Sequence, residues 1–246
     1  CNETSYILNV ENSTFTEQTT SYYYAKFMNR TKTGHLISFS GNIRFISSEV
    51  SEDNQLIVSQ IYSTDKAGIK DGYYSSYNSA NTIWCCNADG ISHFKYSGST
   101  LEFLVQPSSF NTSSVQDPRS ITICNDKVYV KNMGPYNHSV DMSKATIVSQ
   151  YDLNTYEWSV MSLDNVIRDG KASSKGALRS SFNMAFDPDS SEIFYVGSWF
   201  DGLHKFNGTK YVGNYNQHNS PLAHPWEMLD SFTDFDADGN LWTIMV

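Results

Sequence analysis

Between residues 181 and 215 apolar and polar positions alternate in short runs, and each run is closed by turn residues. "SFNMAF" stops at "DPDSS", "EIFYVGSW" at "FDG" and "LHKF" at "NGT", and "KYVGNY" completes the set. A period of two bounded by Asp, Asn, Gly and Pro predicts strands. Connections this short leave no room for a crossover helix, so the four strands must form an antiparallel meander. Asp201-Gly202 and Asn207-Gly208 are expected to supply the positive φ angles of its tight turns.

The same reading recurs upstream. Residues 56 to 105 give "LIVSQIYS", a polar loop from Thr64 to about Ala80, then "TIWCCN", "ISHFKY" and "TLEFLV" separated by "ADG" and "SGS". Residues 119 to 163 give "RSITIC", "KVYVKN", "ATIVSQYDL" and "EWSVMSL", with turns at "NDK" and "NTY" and a loop through "MGPYNHSVDMSK". The first fifty residues supply "YILNV", "SYYYAKF", "GHLISF" and "NIRFIS" as a further four. Superposing Gly90 on Gly202 sets Ile91 on Leu203 and Phe94 on Phe206, which predicts one in/out alternation for both third strands.

Four-stranded meanders repeated every ~40 to 60 residues are the mark of a β-propeller, in which blades pack face to face around an axis. The expected fold is therefore all-β, a single propeller or part of one. Its blades fall near 6–47, 56–105, 119–163 and 181–215, with a partial blade at 231–246. A β-sandwich also has many short strands but would not explain the match between units. Four blades and two strands do not close a ring, because each blade buries both faces on neighbours. Either the chain is part of a longer protein with blades beyond Val246, which is the favoured reading, or two N-terminal strands complete the last blade.

Composition narrows the role. The chain has 246 residues, 39% hydrophobic and 14% aromatic, enough for a sizeable core, and no apolar run spans a bilayer. With 26 acidic against 17 basic residues it lacks the clustered cations that phosphate binding needs, so nucleic acid is not an expected partner. Abundant Tyr, Phe, Ser, Thr and Asn suit a strand-rich extracytoplasmic protein. The patterns at Asn2, Asn12, Asn29, Asn111, Asn137 and Asn207 fit glycosylation acceptors, but a chain this rich in Asn, Ser and Thr yields such patterns by chance.

Cys1 stands where a mature bacterial lipoprotein carries its lipid, and a chain boundary explains it as well. A lipid there, or a segment outside the chain, is the expected route to a membrane. Cys85 and Cys86 point to opposite strand faces, and with Cys124 they read as buried thiols, with a bridge from Cys124 to one of the pair as the alternative.

Asp234, Asp236, Asp238 and Gly239 open like a calcium loop, but its twelfth position is Met245 and its flanks are strands, so a hydrogen-bonded turn is expected. A sialidase-type box fails on spacing. The six histidines show no zinc spacing, and no nucleophile elbow or phosphate loop occurs, so no catalytic set, metal or cofactor is expected. Carboxylate pairs for glycoside cleavage depend on the fold and stay open.

"FDADGNLWTI" at 235–244, "GSWFDGLHKFNG" at 197–208 and "YNQHNSPL" at 215–222 together resemble the two-component-regulator propeller repeats of Bacteroidetes. "Asn-Ser-Pro-Leu" is similar to the variant in surface propellers associated with the type nine secretion system. The resemblance covers about 181–246 well, 80–105 weakly, and nothing before residue 50. It implies a periplasmic or cell-surface propeller that senses a glycan or protein ligand or scaffolds a surface assembly, without catalysis. A propeller-type glycoside hydrolase or polysaccharide lyase is the alternative. It also implies that Trp242 packs between blades.

Propeller geometry places a ligand face. The loop between strands two and three and the loop leaving strand four share one end of the ring. That end collects Trp199, Phe200 and Asp201, then Tyr136 and His138, then His224 and Trp226. Aromatic faces beside a carboxylate suit sugar rings. The plainer reading is that Trp199 and Trp226 cover the ends of neighbouring blades.

Overall fold

The computed structural model describes residues 6–9, 14–17, 27–30, 34–39, 42–53, 55–63, 73–77, 82–87, 90–97, 100–108, 118–132, 146–170, 178, 181, 183–198, 202–216, 218–222, 230–236 and 238–245. They fall into two compact units, essentially residues 1–108 and 109–246.

In the first unit β1 (Tyr6–Asn9) and β2 (Thr14–Glu17) form a hairpin. A four-stranded sheet follows, in the order β3 (Phe27–Arg30), β4 (Gly34–Phe39), β5 (Asn42–Val50) and β6 (Leu56–Ser63). The next consists of β7 (Tyr73–Tyr77), β8 (Thr82–Asn87), β9 (Gly90–Ser97) and β10 (Thr100–Ser108).

These pairings correct the sequence-drawn boundaries of the first two blades. "LIVSQIYS" is the last strand of its sheet, not the first of the next, because the turn at 51–55 folds it back on β5. The Ser51 amide donates to the Gln55 carbonyl at 2.9 Å, and the Gln55 amide donates to Ser51 Oγ at 3.0 Å. The stretch expected as a polar loop contains β7, and the first four strands divide between the hairpin and the following sheet.

The second unit holds β11 (Pro118–Cys124), β12 (Lys127–Asn132), β13 (Ile147–Asp152) and β14 (Trp158–Ser162) in one sheet. A separate sheet holds β15 (Met184–Asp187), β16 (Ser190–Ser198), β17 (Gly202–Asn207) and β18 (Lys210–Tyr215), and β19 (Asp230–Phe235) pairs with β20 (Leu241–Met245). Gly202 and Gly208 have φ of 80° and 54°, as the turn reading requires, and Asn125 and Asp126 are both left-handed in the β11–β12 turn.

The third strands do not alternate in and out. Ile91 and Phe94 on β9, and Leu203, His204 and Phe206 on β17, are all buried. The β15–β18 sheet packs between the β11–β14 sheet and the β19–β20 pair and buries both faces, so β17 loses the two-period exposure signal.

A helix absent from the sequence reading, α1 (Leu163–Gly170), follows β14. Its Leu163 and Ile167 join Val148, Leu178, Phe194 and Phe206 in the core of this unit. Asp164 in its first turn is buried and accepts from the Thr146 amide through Oδ2 and the Leu178 amide through Oδ1, both at 2.7 Å.

Adjacent sheets of this unit run in the same sense. Thr122 Oγ1 donates to the Met184 carbonyl at 3.1 Å, and one level along, Lys131 Nζ donates to the Ser181 carbonyl at 2.6 Å. Between the next pair Asn183 and Thr233 exchange two hydrogen bonds, the Thr233 amide donating to Asn183 Oδ1 and Asn183 Nδ2 to the Thr233 carbonyl.

Candidate functional site

All seven residues expected at the ligand face, Trp199, Phe200, Asp201, Tyr136, His138, His224 and Trp226, lie outside the described residues, as does Cys1. Strand order alone sets their loops: 133–145 joins β12 to β13, 199–201 joins β16 to β17, and 217–229 leaves β18. The start of the last loop is a self-bonded turn. The Asn216 amide donates to Asn219 Oδ1 and the His218 amide to Asn216 Oδ1, at 2.8 and 2.9 Å. The "Asn-Ser-Pro-Leu" stretch is thus a cap on the exit of β18.

A cavity of about 350 Å³ opens at the other end of the same two sheets, beside the tight turns. Its floor is apolar: Tyr129 from β12, Val148 from β13, Met161 from β14, and Phe186 and Phe194 from β15 and β16. The Tyr129 and Phe186 rings lie 4.5 Å apart and Phe186 and Phe194 5.5 Å apart, both tilted, a favourable arrangement for ring quadrupoles. The rim carries Lys127, Gln150, Ser159, Ser191, Glu192 and Thr209.

Two rim features are built by the turns. Lys127 lies directly opposite Asp152 across the β12–β13 ladder, and its charge helps hold the Asp152 carboxyl below its usual range, after the Thr155 and Asn154 amides that cap it. Glu192 is seated against Gly208: the Gly208 amide donates to the Glu192 carbonyl at 2.7 Å, and a Cβ at Gly208 would stand 2.8 Å from Glu192 Oε2. The glycine thus serves both the left-handed turn and the carboxylate beside it.

Burial, and the negative charge of Cys124, Glu192 and Asp152, push the Tyr129 hydroxyl up to about 12. The Cys124 thiol is raised by burial and by Glu192. It is a half-buried thiol, Cys85 and Cys86 are buried, and none of the three is disulfide-bonded, so the bridge entertained for Cys124 is not formed.

Sequence reasoning missed this cavity. Asn207-Gly208 marked the turn, but nothing in a linear pattern sets the first residues of β16 beside the ends of β12 and β13.

The Asp-rich stretch is a closed turn. Asp236 accepts from the amides of Asp238 and Asn240, from Asn240 Nδ2 and from Trp242 Nε1, the last at 2.7 Å. The Trp242 and Asn240 side chains chiefly hold its carboxyl down at about 2. Trp242 is 66% exposed among the described residues, and its Nε1 closes its own loop on Asp236.

Because the Asp236 value is depressed, its stabilisation is complete above the unfolded carboxyl range and is lost as pH falls through about 2. An Asp236→Asn variant should therefore melt below the parent at neutral pH, with the gap closing between pH ~4 and ~2. Thermal melts across that range check it, and a pH-independent gap counts against it.

In the first unit the Trp84 and His93 rings stack at 4.2 Å, and neither Trp84 Nε1 nor His93 Nε2 has a hydrogen-bond partner among the described residues. Burial lowers the His93 value by disfavouring the charged imidazolium. No group of three or more metal-ligating side chains gathers among the described residues.

No protein-family model and no curated protein matches the sequence. Solved structures do. The extracellular domain of the hybrid two-component system BT4673 from B. thetaiotaomicron matches over 97% of this chain at 13% identity and a TM-score of 0.58. The β-propeller domain of Cps50 (Swd1) from Myceliophteria thermophila matches over 98% at 10% identity and a TM-score of 0.52, across 73% of that chain.

The fold is that of a β-propeller.

PorZ, an essential surface component of the type-IX secretion system of Porphyromonas gingivalis, aligns over 99% of this chain at 18% identity and a TM-score of 0.45. The chain spans 28% of the two-component ectodomain and 30% of PorZ.

Proposed function

We propose that this chain is part of an extracytoplasmic propeller that binds a glycan or protein ligand, as a sensor or as a surface-assembly scaffold, and that it performs no covalent chemistry. The observation that carries the reading is the propeller fold shared with a two-component ectodomain over nearly the whole chain. The Asp236-centred Asp-Gly-Asn-Leu-Trp turn, closed on itself as a structural element, supports it. The proposed ligand face is the loop end, with Trp199, Phe200, Asp201, Tyr136, His138, His224 and Trp226, and the proposed location is periplasm or cell surface, with Cys1 as a lipid attachment point.

Incubation with a glycan panel is expected to give saturable binding to one oligosaccharide class without product. Bond cleavage that is abolished by replacing one acidic residue would establish the hydrolase or lyase alternative instead. Replacing Trp199 and Trp226 with Ala should weaken ligand binding while leaving the melting temperature near the parent's. Loss of stability with unchanged affinity per folded molecule would make both residues structural.

A further inference from the structure

The cavity between the β11–β14 and β15–β18 sheets is separate from the proposed loop face and independent of that reading. Its volume, about 350 Å³, lies in the range of small-molecule sites. Its floor offers the rings of Tyr129 and Phe186, and its charged rim residues are Lys127 and Glu192. Lys127 faces Asp152 in the cross-strand register, whereas no cation among the described residues pairs with the Glu192 carboxylate. Gly208 leaves room for that carboxylate where any larger residue would displace it. The half-buried Tyr129 hydroxyl lies within the field of the Glu192 and Asp152 carboxylates.

We propose that this cavity is a binding site for an organic cation, an ammonium group on an apolar body, with Glu192 as its counter-charge and the half-buried rings of Tyr129 and Phe186 as its bed. An apolar body displaces water from the floor, and a cation gains from both the carboxylate and the ring quadrupoles. A neutral sugar would gain only the rim hydroxyls and amide, and an anion would be repelled by Glu192.

The test compares benzyltrimethylammonium, benzyl alcohol and phenylacetate by calorimetry and ligand-observed NMR on the whole chain. The cation should bind at millimolar concentration or tighter, about tenfold above the alcohol, with phenylacetate weakest. Glu192→Gln, at an exposed position, should fold normally and weaken the cation about tenfold. Glu192→Lys should invert the order of cation and anion. Equal binding of cation and alcohol, indifference to both Glu192 variants, or no cation binding overturns the proposal, and preferential binding of a neutral sugar at this cleft assigns it to a different ligand class.

Discussion

Replacing Asp164 with Ala should destabilise the second unit by about 2 to 6 kcal/mol, from two stranded buried donors at about 1 to 3 kcal/mol each, enough to remove a large share of a typical domain's stability. The carboxylate is buried, and it is the acceptor for two buried amides, Thr146 at the start of β13 and Leu178, each at 2.7 Å. The knot has two further strands: the Leu163 amide donates to the Thr146 carbonyl at 2.9 Å, and Thr146 Oγ1 donates to the Leu178 carbonyl at 2.8 Å.

Removing the carboxylate leaves two amide donors dry, and a stranded buried donor costs more than its hydrogen bond contributed. It also frees the first turn of α1, whose Leu163 and Ile167 sit in the core with Phe194 and Phe206. Asp164→Asn keeps one acceptor oxygen and should lose about half as much. Urea titration followed by Trp158 fluorescence measures both, and an Ala variant within 1 kcal/mol of the parent, by the ~1 kcal/mol typical of a single substitution, would show that water replaces the carboxylate.

The knot also shows where sequence reading reached its limit. Leu163, Val166 and Ile167 carry helical spacing behind Ser162, whose Oγ accepts from the Asn165 amide at 3.4 Å, and Gly170 ends the element. Those signals are local and legible, but an eight-residue helix after a strand run is outweighed by the two-period pattern around it.

The sheets at 118–162 and 184–215 were legible because, apart from the 133–145 loop, their turns are short and their turn residues unambiguous: Asn125-Asp126, Pro188-Asp189 and Gly208 can do little else. The first unit was less so. β7 reads "YYSSY" inside a polar stretch, and β6 carries a clear strand pattern whose partner is decided by a Ser51-centred turn, which periodicity does not report. The cavity followed the same rule. Each of Tyr129, Phe186 and Glu192 is an ordinary strand residue until two sheets are laid side by side.

The last expected result concerns Lys131, whose ammonium is fully buried between these sheets. It donates to the Asn132 carbonyl at 2.9 Å, the Ser181 carbonyl at 2.6 Å and Ser181 Oγ at 2.9 Å, so all three protons are used. Three neutral acceptors do not repay the desolvation of a full charge, and burial lowers its value from 10.5 to about 7.

The sign follows. Below pH 7 the group is charged in both states and the folded protein bears the whole penalty. Between 7 and 10.5 the unfolded chain holds a proton that the folded chain lacks, so the contribution to stability rises with pH by up to ~1.4 kcal/mol per unit, and above 10.5 it is constant. Across the window this amounts to on the order of 5 kcal/mol.

Lys131→Met removes the titration and fills much of the same volume, while stranding carbonyls that tolerate it better than amides do. The Met variant should be the more stable protein at pH 6, with the difference shrinking steadily towards pH 9.5. Tyr129, raised to about 12, acts in the opposite sense, giving stability that is lost as pH rises through that value. It is present in both proteins and cancels in the difference. Parallel stability curves for parent and variant from pH 6 to 9.5 would mean that Lys131 keeps its ordinary affinity for the proton and that the seam solvates it.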